Sequence, residues 1–316
     1  MDAFQKLKQA KETINQVIVG QNEVIDLLFT ALLSKGHVIL ESVPGSGKTK
    51  LARTFAKVID GQFSRIQFTP DVLPSDVTGI RFFNPKTQEF EMMVGPVKTN
   101  ILLADEINRA TPRTQSSLLE VMEEQQTTID GTTVKIPSPF LVIATQNPIE
   151  SNQGTFPLPE AQLDRFLMKI KMDYPAFEQE KDILLNQRTS DPLDDVSSIL
   201  TMDDIVSLQQ EVQQVNISDV VLDYLLKLVR KTREHKDIEL GVSSRAALAL
   251  MHAAQARAFI NGRDFVKPQD IKPIAQYVFT HRVILSMEGS IRHEKSEVVQ
   301  EVIESVDVPV EAETVR

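Results

Sequence analysis

Residues 41–49 read E-S-V-P-G-S-G-K-T and lie between an apolar run and a helix-like segment. This order of strand, glycine-rich turn and helix is typical of a P-loop, in which backbone N–H groups and a helix N-terminus converge on phosphate oxygens. Gly45 and Gly47 allow the tight backbone, Lys48 can reach the β- and γ-phosphates, and the Thr49 hydroxyl can ligate Mg²⁺. The spacing therefore predicts a site for a nucleoside triphosphate and its magnesium ion.

Position 42 departs from the usual pattern G-x-x-x-x-G-K-[ST], because Ser42 stands where the first glycine is expected. A glycine at the strand exit eases a turn but donates nothing by its side chain, so a serine removes conformational freedom rather than a ligand. We therefore predict a working phosphate site with an intact ligand set, and the effect of Ser42 on nucleotide affinity stays open.

Two adjacent carboxylates, Asp105 and Glu106, follow the apolar run at residues 101–104. At such a strand end Asp105 can hold a Mg²⁺-bound water beside Thr49, and Glu106 can polarise the attacking water. Taken alone, an apolar strand that ends in D-E is equally well explained as a solvated strand end. The P-loop upstream is what favours the catalytic interpretation.

Three further polar side chains follow along the chain. Asn147 comes after the apolar run at residues 140–144 and can orient the lytic water or contact the γ-phosphate, although an Asn before Pro is also a common turn. Arg165 precedes the fifth strand-like run, and Arg245 lies at the start of a helical segment. Arginines are usually solvated surface charges, so only their order after the other motifs singles out these two.

The apolar pattern changes along the chain. Up to about residue 172, short apolar runs alternate with helical patterns, which predicts a five-stranded parallel sheet covered by helices. Beyond about residue 175 the strand-like runs stop and amphipathic helical spacing follows, which predicts a smaller helical domain. We place the domains at residues 1–175 and residues 176–316, with a C-terminal tail that is expected to fray.

Two segments interrupt the sheet pattern of the first domain. Residues 80–95 read as two short strands around an N-P turn, and residues 127–136 read as a hairpin that turns at Asp130 and Gly131. Both are expected to project from the domain, either as functional inserts or as surface decoration.

Composition narrows the class of protein. The formal charge of −10 and the pI near 5.1 count against a chain that binds nucleic acid mainly by electrostatics. The sequence has no cysteine, and its five histidines show no metal-ligand spacing, so any metal is expected to accompany a nucleotide. No apolar run approaches the ~18 residues of a membrane span, and the N-terminal residues M-D-A-F-Q lack the basic-then-apolar order of a secretory signal, so a cytoplasmic location is expected.

The successive motifs G-S-G-K-T, L-L-A-D-E, A-T-Q-N-P, L-D-R-F and G-V-S-S-R-A resemble those of an AAA+ ATPase, specifically of the MoxR group. The resemblance extends from about residue 14 to about residue 285. It implies an αβα nucleotide domain with a helical lid, and assembly into a ring, commonly a hexamer, with ATP between neighbours. Further similar phrases are V-G-Q at residues 19–21, D-E-I-N-R-A at residues 105–110, P-R-T-Q at residues 112–115 and L-P-E-A-Q-L-D-R-F at residues 158–166.

The resemblance also implies roles for individual residues. Asn147 would be the sensor at the strand end and Arg165 the arginine finger that reaches the neighbouring subunit's γ-phosphate. Arg245 would be the lid sensor, acting in cis or in trans. Asp105 and Thr49 would support Mg²⁺, and Glu106 would activate water. The residues expected to contact the nucleotide are Val19 and Gly20 beside the adenine, then Pro44, Gly45, Ser46, Gly47, Lys48, Thr49 and Lys50.

Members of the MoxR group act as chaperones that remodel or mature protein complexes, often with a partner that carries a von Willebrand factor A domain. The resemblance therefore implies an ATP-hydrolysing protein remodeller. Two alternatives stay open: a nucleotide-gated scaffold with little turnover, which the joint presence of Glu106, Asn147 and Arg165 disfavours, and a DNA-associated ring motor, which the acidic balance disfavours.

Overall fold

The computed structural model describes residues 2–43, 45–147, 154–186, 188 and 191–309. Pro44, predicted to contact the nucleotide, and the last residues of the tail predicted to fray lie outside the described residues. Within the described part of the chain, no helix is both long enough and apolar enough to cross a lipid bilayer.

The chain forms β-strands mainly in its first half. The strands are β1 (Val38–Ser42), β2 (Phe63–Gln67), β3 (Gly79–Asn84), β4 (Glu89–Val94), β5 (Ile101–Asp105), β6 (Gln126–Ile129), β7 (Thr132–Lys135), β8 (Leu141–Gln146), β9 (Met168–Met172), β10 (Ile238–Leu240) and β11 (Ile284–Leu285).

Helices surround the strands and dominate the second half. They are α1 (Ala3–Val17), α2 (Asn22–Leu33), α3 (Lys48–Val58), α4 (Pro74–Thr78), α5 (Pro112–Glu124), α6 (Glu160–Leu163), α7 (Phe177–Asn186), α8 (Met202–Gln213), α9 (Asp219–Glu234), α10 (Ser244–Ile260), α11 (Pro268–Phe279), α12 (Met287–Arg292) and α13 (Lys295–Glu304).

Five parallel strands form the central sheet in the order β2-β5-β8-β1-β9, which confirms the predicted sheet. Every residue of β5 is buried, as are the first five of β8, because helices cover both faces of these inner strands. The carboxyl ends of β5, β8 and β1 therefore lie side by side at one edge of the sheet, and the amino ends lie at the opposite edge.

Two apolar clusters pack on the two faces of the sheet. Alternate residues of a strand point to opposite faces, so Leu40 joins the cluster with α1, α2 and α3, while Ile39 joins the cluster with α5. The first cluster continues into α8, α9, α10 and α11. One apolar core therefore crosses the predicted boundary at residue 175, and the division at that residue stays a prediction.

Both predicted hairpins are present. β3 pairs with β4, and β6 pairs with β7 around Asp130 and Gly131, whose positive φ values of 48° and 81° are those of a type I′ turn. Phe83, Phe90 and Met93 on the first hairpin are all at least half exposed.

The region after β9 is helical, as predicted, with one addition. Serine and threonine N-caps begin four of its helices, with Thr201 before α8, Ser218 before α9, Ser243 before α10 and Ser286 before α12. The short antiparallel pair β10 and β11 lies among these helices and has no signal in the apolar pattern. Short pairs of two or three residues carry too few alternations for a period of two to be visible.

Candidate functional site

The P-loop connects β1 to α3. Gly45 and Gly47 have φ values of 81° and 87°, a left-handed region that glycine enters without strain. Among the described residues other than the chain neighbours, a Cβ added at either glycine would meet no atom within 4 Å, so the space over the loop is open to a ligand. The helix then begins at Lys48, with Thr49 in its first turn. The N–H groups of this first turn have no partner inside the helix, which makes the turn a ready anion site.

Two serine hydroxyls in this region are buried and have no hydrogen-bond partner in the described structure, Ser42 at the end of β1 and Ser46 within the loop. Ser42 is only 3 % exposed and shares the sheet face of Leu40, which packs towards α3. Buried hydroxyls are normally satisfied by protein, water or a bound group. The unpaired Ser46 hydroxyl and the open glycines fit a bound phosphate chain.

Asp105, the last residue of β5, is held by two neighbouring strands. The Thr145 hydroxyl on β8 donates to Asp105 Oδ1 at 2.6 Å, and Arg65 Nη2 on β2 donates to Oδ2 at 2.6 Å. Each carboxylate oxygen has a second lone pair, so both can still accept from a metal-bound water. The residue types and the geometry fit the predicted support of Mg²⁺ through water.

Glu106 turns the chain at the end of β5. Its φ of 56° and ψ of 50° are left-handed values that cost a non-glycine residue energy, and such backbone conformations are concentrated at functional sites. Its backbone N–H donates to the Thr145 hydroxyl at 2.9 Å, and its Oε2 lies 3.1 Å from Arg109 Nε. Thr145 therefore fixes Asp105 and Glu106 together, which lets two successive residues serve one site.

Asn147 follows β8, which lies between β5 and β1 in the sheet. Its side chain is 4 % exposed. Because the ends of these three strands are neighbours, the structure brings Lys48, Thr49, Asp105, Glu106 and Asn147 to one edge. At this edge a nucleoside triphosphate, a divalent cation and a water molecule could be held together.

Val19 and Gly20 form the turn between α1 and α2. Gly20 has a φ of 81° and lies so close to the Gln179 side chain that an added Cβ would be 2.5 Å from Gln179 Oε1. Gln21 Nε2 donates to the backbone oxygen of Asp173, just after β9. This turn therefore lies against the segment that follows β9, the strand next to β1, at the carboxyl edge of the sheet. A residue that borders the adenine is expected at this edge.

Lys50, in the first turn of α3, makes an ion pair within its own chain. Its Nζ lies 2.7 Å from Asp191 Oδ1, in the segment that follows α7. The role of Lys50 as a nucleotide contact stays a prediction, since the structure shows this side chain held by a carboxylate of its own chain.

Arg165 and Arg245 lie at the opposite edge of the sheet from the P-loop. Arg165 comes just before β9, where the Leu167 N–H donates to the His37 oxygen ahead of β1. Arg165 Nη2 is 3.1 Å from Glu123 Oε2, and Arg245 Nη2 is 2.7 Å from Glu123 Oε1. Strand β9 has five residues, roughly 16 Å of parallel strand, so this edge is well separated from the carboxyl ends. The structure therefore joins the two arginines to each other and separates both from their own phosphate site.

A buried arginine of the helical region holds the segment that carries Arg165. Arg282 Nε donates to Asp164 Oδ1 at 2.6 Å, and other guanidinium nitrogens donate to the backbone oxygens of Phe166 and Leu167 at 2.6 and 3.0 Å. The Ser243 hydroxyl also donates to Asp164 at 3.3 Å. The helical lid thus contacts the chain directly on both sides of Arg165, so a shift of the lid would move this segment.

Replacing Arg282 with alanine is expected to lower the free energy of unfolding by about 3–5 kcal/mol, because the change removes one partner of a buried ion pair. Its side chain is 3 % exposed, and the backbone oxygens that it satisfies would lose their donors. Urea denaturation would measure the loss. The control is Arg292→Ala, because that side chain is 60 % exposed and pairs with Glu288 at the surface. A loss within about 1 kcal/mol is expected there, and equal losses in both variants would contradict the anchoring role of Arg282.

The interpretation of the sequence missed four residues that position the site: Thr145, Arg65, Glu123 and Arg282. Thr145 had a usable signal, because it stands among polar residues at the end of an apolar strand, where side chains meet the neighbouring strand. The other three are single charged residues without a motif. Only the tertiary structure shows that Arg65 and Arg282 bind carboxylates and that Glu123 binds two guanidiniums.

Comparison with known proteins agrees with this geometry. Residues 37–168 match the model of the ATPase family associated with various cellular activities (AAA), and residues 230–304 match that of the AAA lid domain. The chain is 49 % identical to the uncharacterized protein YeaC of Bacillus subtilis, over all of this chain and 98 % of YeaC.

Two further similarities are as extensive. The chain is 42 % identical to chaperone MoxR1 of Mycobacterium tuberculosis, over 96 % of this chain and 82 % of MoxR1. It also superimposes with a TM-score of 0.90 on the crystal structure of a Cytophaga hutchinsonii protein assigned as an ATPase, at 39 % identity over 98 % of this chain and 96 % of that one. With a parallel sheet, a P-loop and a helical lid in the matched regions, the chain belongs to the MoxR family of AAA+ ATPases.

Proposed function

We propose that this chain binds ATP with Mg²⁺ and hydrolyses it at the contacts between subunits of a ring, a hexamer, to remodel or mature protein complexes. The nucleotide lies between Val19, Gly20 and the P-loop of one subunit. Arg165 and Arg245 of the next subunit complete the site. Both arginines therefore act in trans.

One observation carries this proposal. Arg165 and Arg245 meet at Glu123 on the amino edge of the sheet, whereas Lys48 lies at the carboxyl edge. Within one subunit the guanidiniums cannot reach their own γ-phosphate across the sheet. They can reach a phosphate of a second copy whose carboxyl edge faces them. A ring repeats this head-to-tail contact until it closes.

The residues at the carboxyl edge of the sheet have different roles in the proposed ATP hydrolysis. Lys48 and the N–H groups that begin α3 bind the phosphates, and bound Mg²⁺ would offset their negative charge. Asp105, whose carboxylate accepts hydrogen bonds from Thr145 and Arg65, would hold a metal-bound water. Glu106 polarises the attacking water, and Asn147 orients it.

Protein, rather than nucleic acid, is the proposed client. The projecting hairpin β3–β4 exposes Phe82, Phe83, Phe90, Met92 and Met93, and such an apolar surface suits a protein partner better than a phosphate backbone. The formal charge of −10 also opposes electrostatic binding of nucleic acid. A chaperone of the same family is 42 % identical. The family resemblance adds a partner with a von Willebrand factor A domain.

The proposal is tested by measuring ATP turnover per subunit as the protein concentration is raised. Because each site needs two subunits, specific activity should rise with concentration and then level off.

Lys48→Ala should abolish ATP binding, since the phosphates lose their one positioned ammonium. Lys227→Ala, which changes an exposed lysine of α9, should have no effect. Specific activity that stays constant down to dilutions where only monomers are present would contradict the shared site.

A further inference from the structure

Glu123 links the two arginines that we assign to a neighbouring subunit's phosphate. It lies in the last turn of α5, Arg165 lies between α6 and β9, and Arg245 begins α10. Each carboxylate oxygen takes a different partner, Oε2 with Arg165 at 3.1 Å and Oε1 with Arg245 at 2.7 Å. One carboxylate at the end of α5 thus joins two arginines, one from the segment before β9 and one from the lid.

The Glu123 carboxylate offsets the repulsion between the guanidiniums of Arg165 and Arg245. Two guanidiniums a few ångströms apart repel each other. Each lies at the end of a long flexible side chain that would otherwise turn to solvent. The side chains of Arg165 and Arg245 are 32 % and 50 % exposed, so packing alone does not hold them. A negative charge between them removes the main reason for them to separate.

The charge of Glu123 is secure at neutral pH. The hydrogen bond from Arg245, together with the charges of Arg165 and Arg245, holds the pKa of the Glu123 carboxyl below its ordinary value despite an opposing effect of burial. In the described part of the chain, neither guanidinium makes another hydrogen bond or ion pair. Since a guanidinium has five N–H donors, most of them remain for a second anion.

The backbone beneath this cluster is fixed separately. Arg282 and Ser243 of the lid hold Asp164, the residue before Arg165. That contact positions the chain, while Glu123 positions the tips of the side chains. The two contacts together place the lid arginine and the core arginine at one spot.

We propose that Glu123 is a positioning residue that holds Arg165 and Arg245 as a pair, so that both guanidiniums meet one γ-phosphate of the neighbouring subunit. This inference rests on the proposed shared site. Charge that develops on the transferred phosphoryl group is best stabilised by donors that are already in place. A guanidinium that must be repositioned during each turnover loses much of that advantage.

The first experiment measures kcat and ATP affinity of Glu123→Ala and Glu123→Gln. Because Glu123 lies far from its own P-loop, ATP affinity should be unchanged in both variants. We expect kcat to fall about 10–100-fold in Glu123→Ala, the cost of misplacing a positioned group. The glutamine oxygen can still accept from one arginine, so a smaller loss is expected there. Glu124→Gln removes the adjacent charge on the same helix and should leave kcat within twofold. Equal losses from Glu124→Gln, or a loss of ATP affinity in Glu123→Ala, would overturn the proposal.

A mixing experiment locates the defect. Lys48→Ala subunits lack a working ATP site but offer intact arginines, so mixing them with Glu123→Ala subunits should restore turnover. Mixing Glu123→Ala with the double variant Lys48→Ala/Glu123→Ala should not. If Lys48→Ala restores Arg165→Ala but not Glu123→Ala, Glu123 acts within its own site or in folding, and the inference is wrong. If it restores neither variant, the shared site itself fails.

Discussion

Replacing Arg165 with alanine is expected to lower ATP turnover by about 10³–10⁵-fold, the range that an arginine finger contributes to phosphoryl transfer. Each subunit should still bind ATP, because Arg165 lies at the sheet edge opposite its own P-loop. Turnover of saturating ATP, with binding measured separately, checks both statements. Arg230→Ala, which removes an exposed arginine of α9, is the matched control and should leave turnover unchanged.

Complementation gives the sharper test of the same geometry. A mixture of Arg165→Ala and Lys48→Ala subunits contains some contacts at which an intact P-loop meets an intact Arg165. Turnover should therefore reappear on mixing and rise with total protein concentration. If the mixture stays as inactive as its two components, Arg165 is a surface arginine paired with Glu123 and has no role in a neighbour's site.

Replacing Glu106 with glutamine is expected to slow hydrolysis by about 10²–10⁴-fold, the usual contribution of a positioned general base. The amide keeps the shape of the side chain, and the Thr145 hydroxyl that fixes the Glu106 backbone is untouched. ATP and Mg²⁺ affinity should therefore stay close to that of the unchanged protein. Single-turnover hydrolysis and nucleotide binding would separate the two effects.

A matched control for that variant is Glu234→Gln, an exposed carboxylate at the end of α9. It should leave hydrolysis unchanged. Equal losses of nucleotide binding and of turnover in Glu106→Gln would mean that Glu106 is a ligand rather than the base.

If slow hydrolysis is confirmed, the ATP-bound Glu106→Gln variant can be used to capture binding partners. Proteins retained on it in ATP but not in ADP are the candidates for client and partner, including one with a von Willebrand factor A domain.

Several features of the fold were predictable because short stretches of sequence specify them. Gly45 and Gly47 are needed for the left-handed turn of the P-loop, and Asp130 and Gly131 for the hairpin turn, whatever surrounds them. The apolar runs of the inner strands β5 and β8 are visible because buried parallel strands are continuously hydrophobic, whereas the edge strand β9 alternates apolar residues with lysines. The pair β10 and β11 was not predictable, since two or three residues carry no period.

The sequence by itself determined the nucleotide motif, the order of the site residues and the alternation of strands and helices, because these depend on neighbours close along the chain. Only the tertiary structure decided which charges meet. Asp105 binds Arg65 and Thr145 because β2 and β8 flank β5, and Glu123 binds Arg245 because the lid docks on the amino edge of the sheet. The proposed action of Arg245 in trans rests on that docking. Strand order and lid position result from packing across the whole core, and no local pattern encodes them.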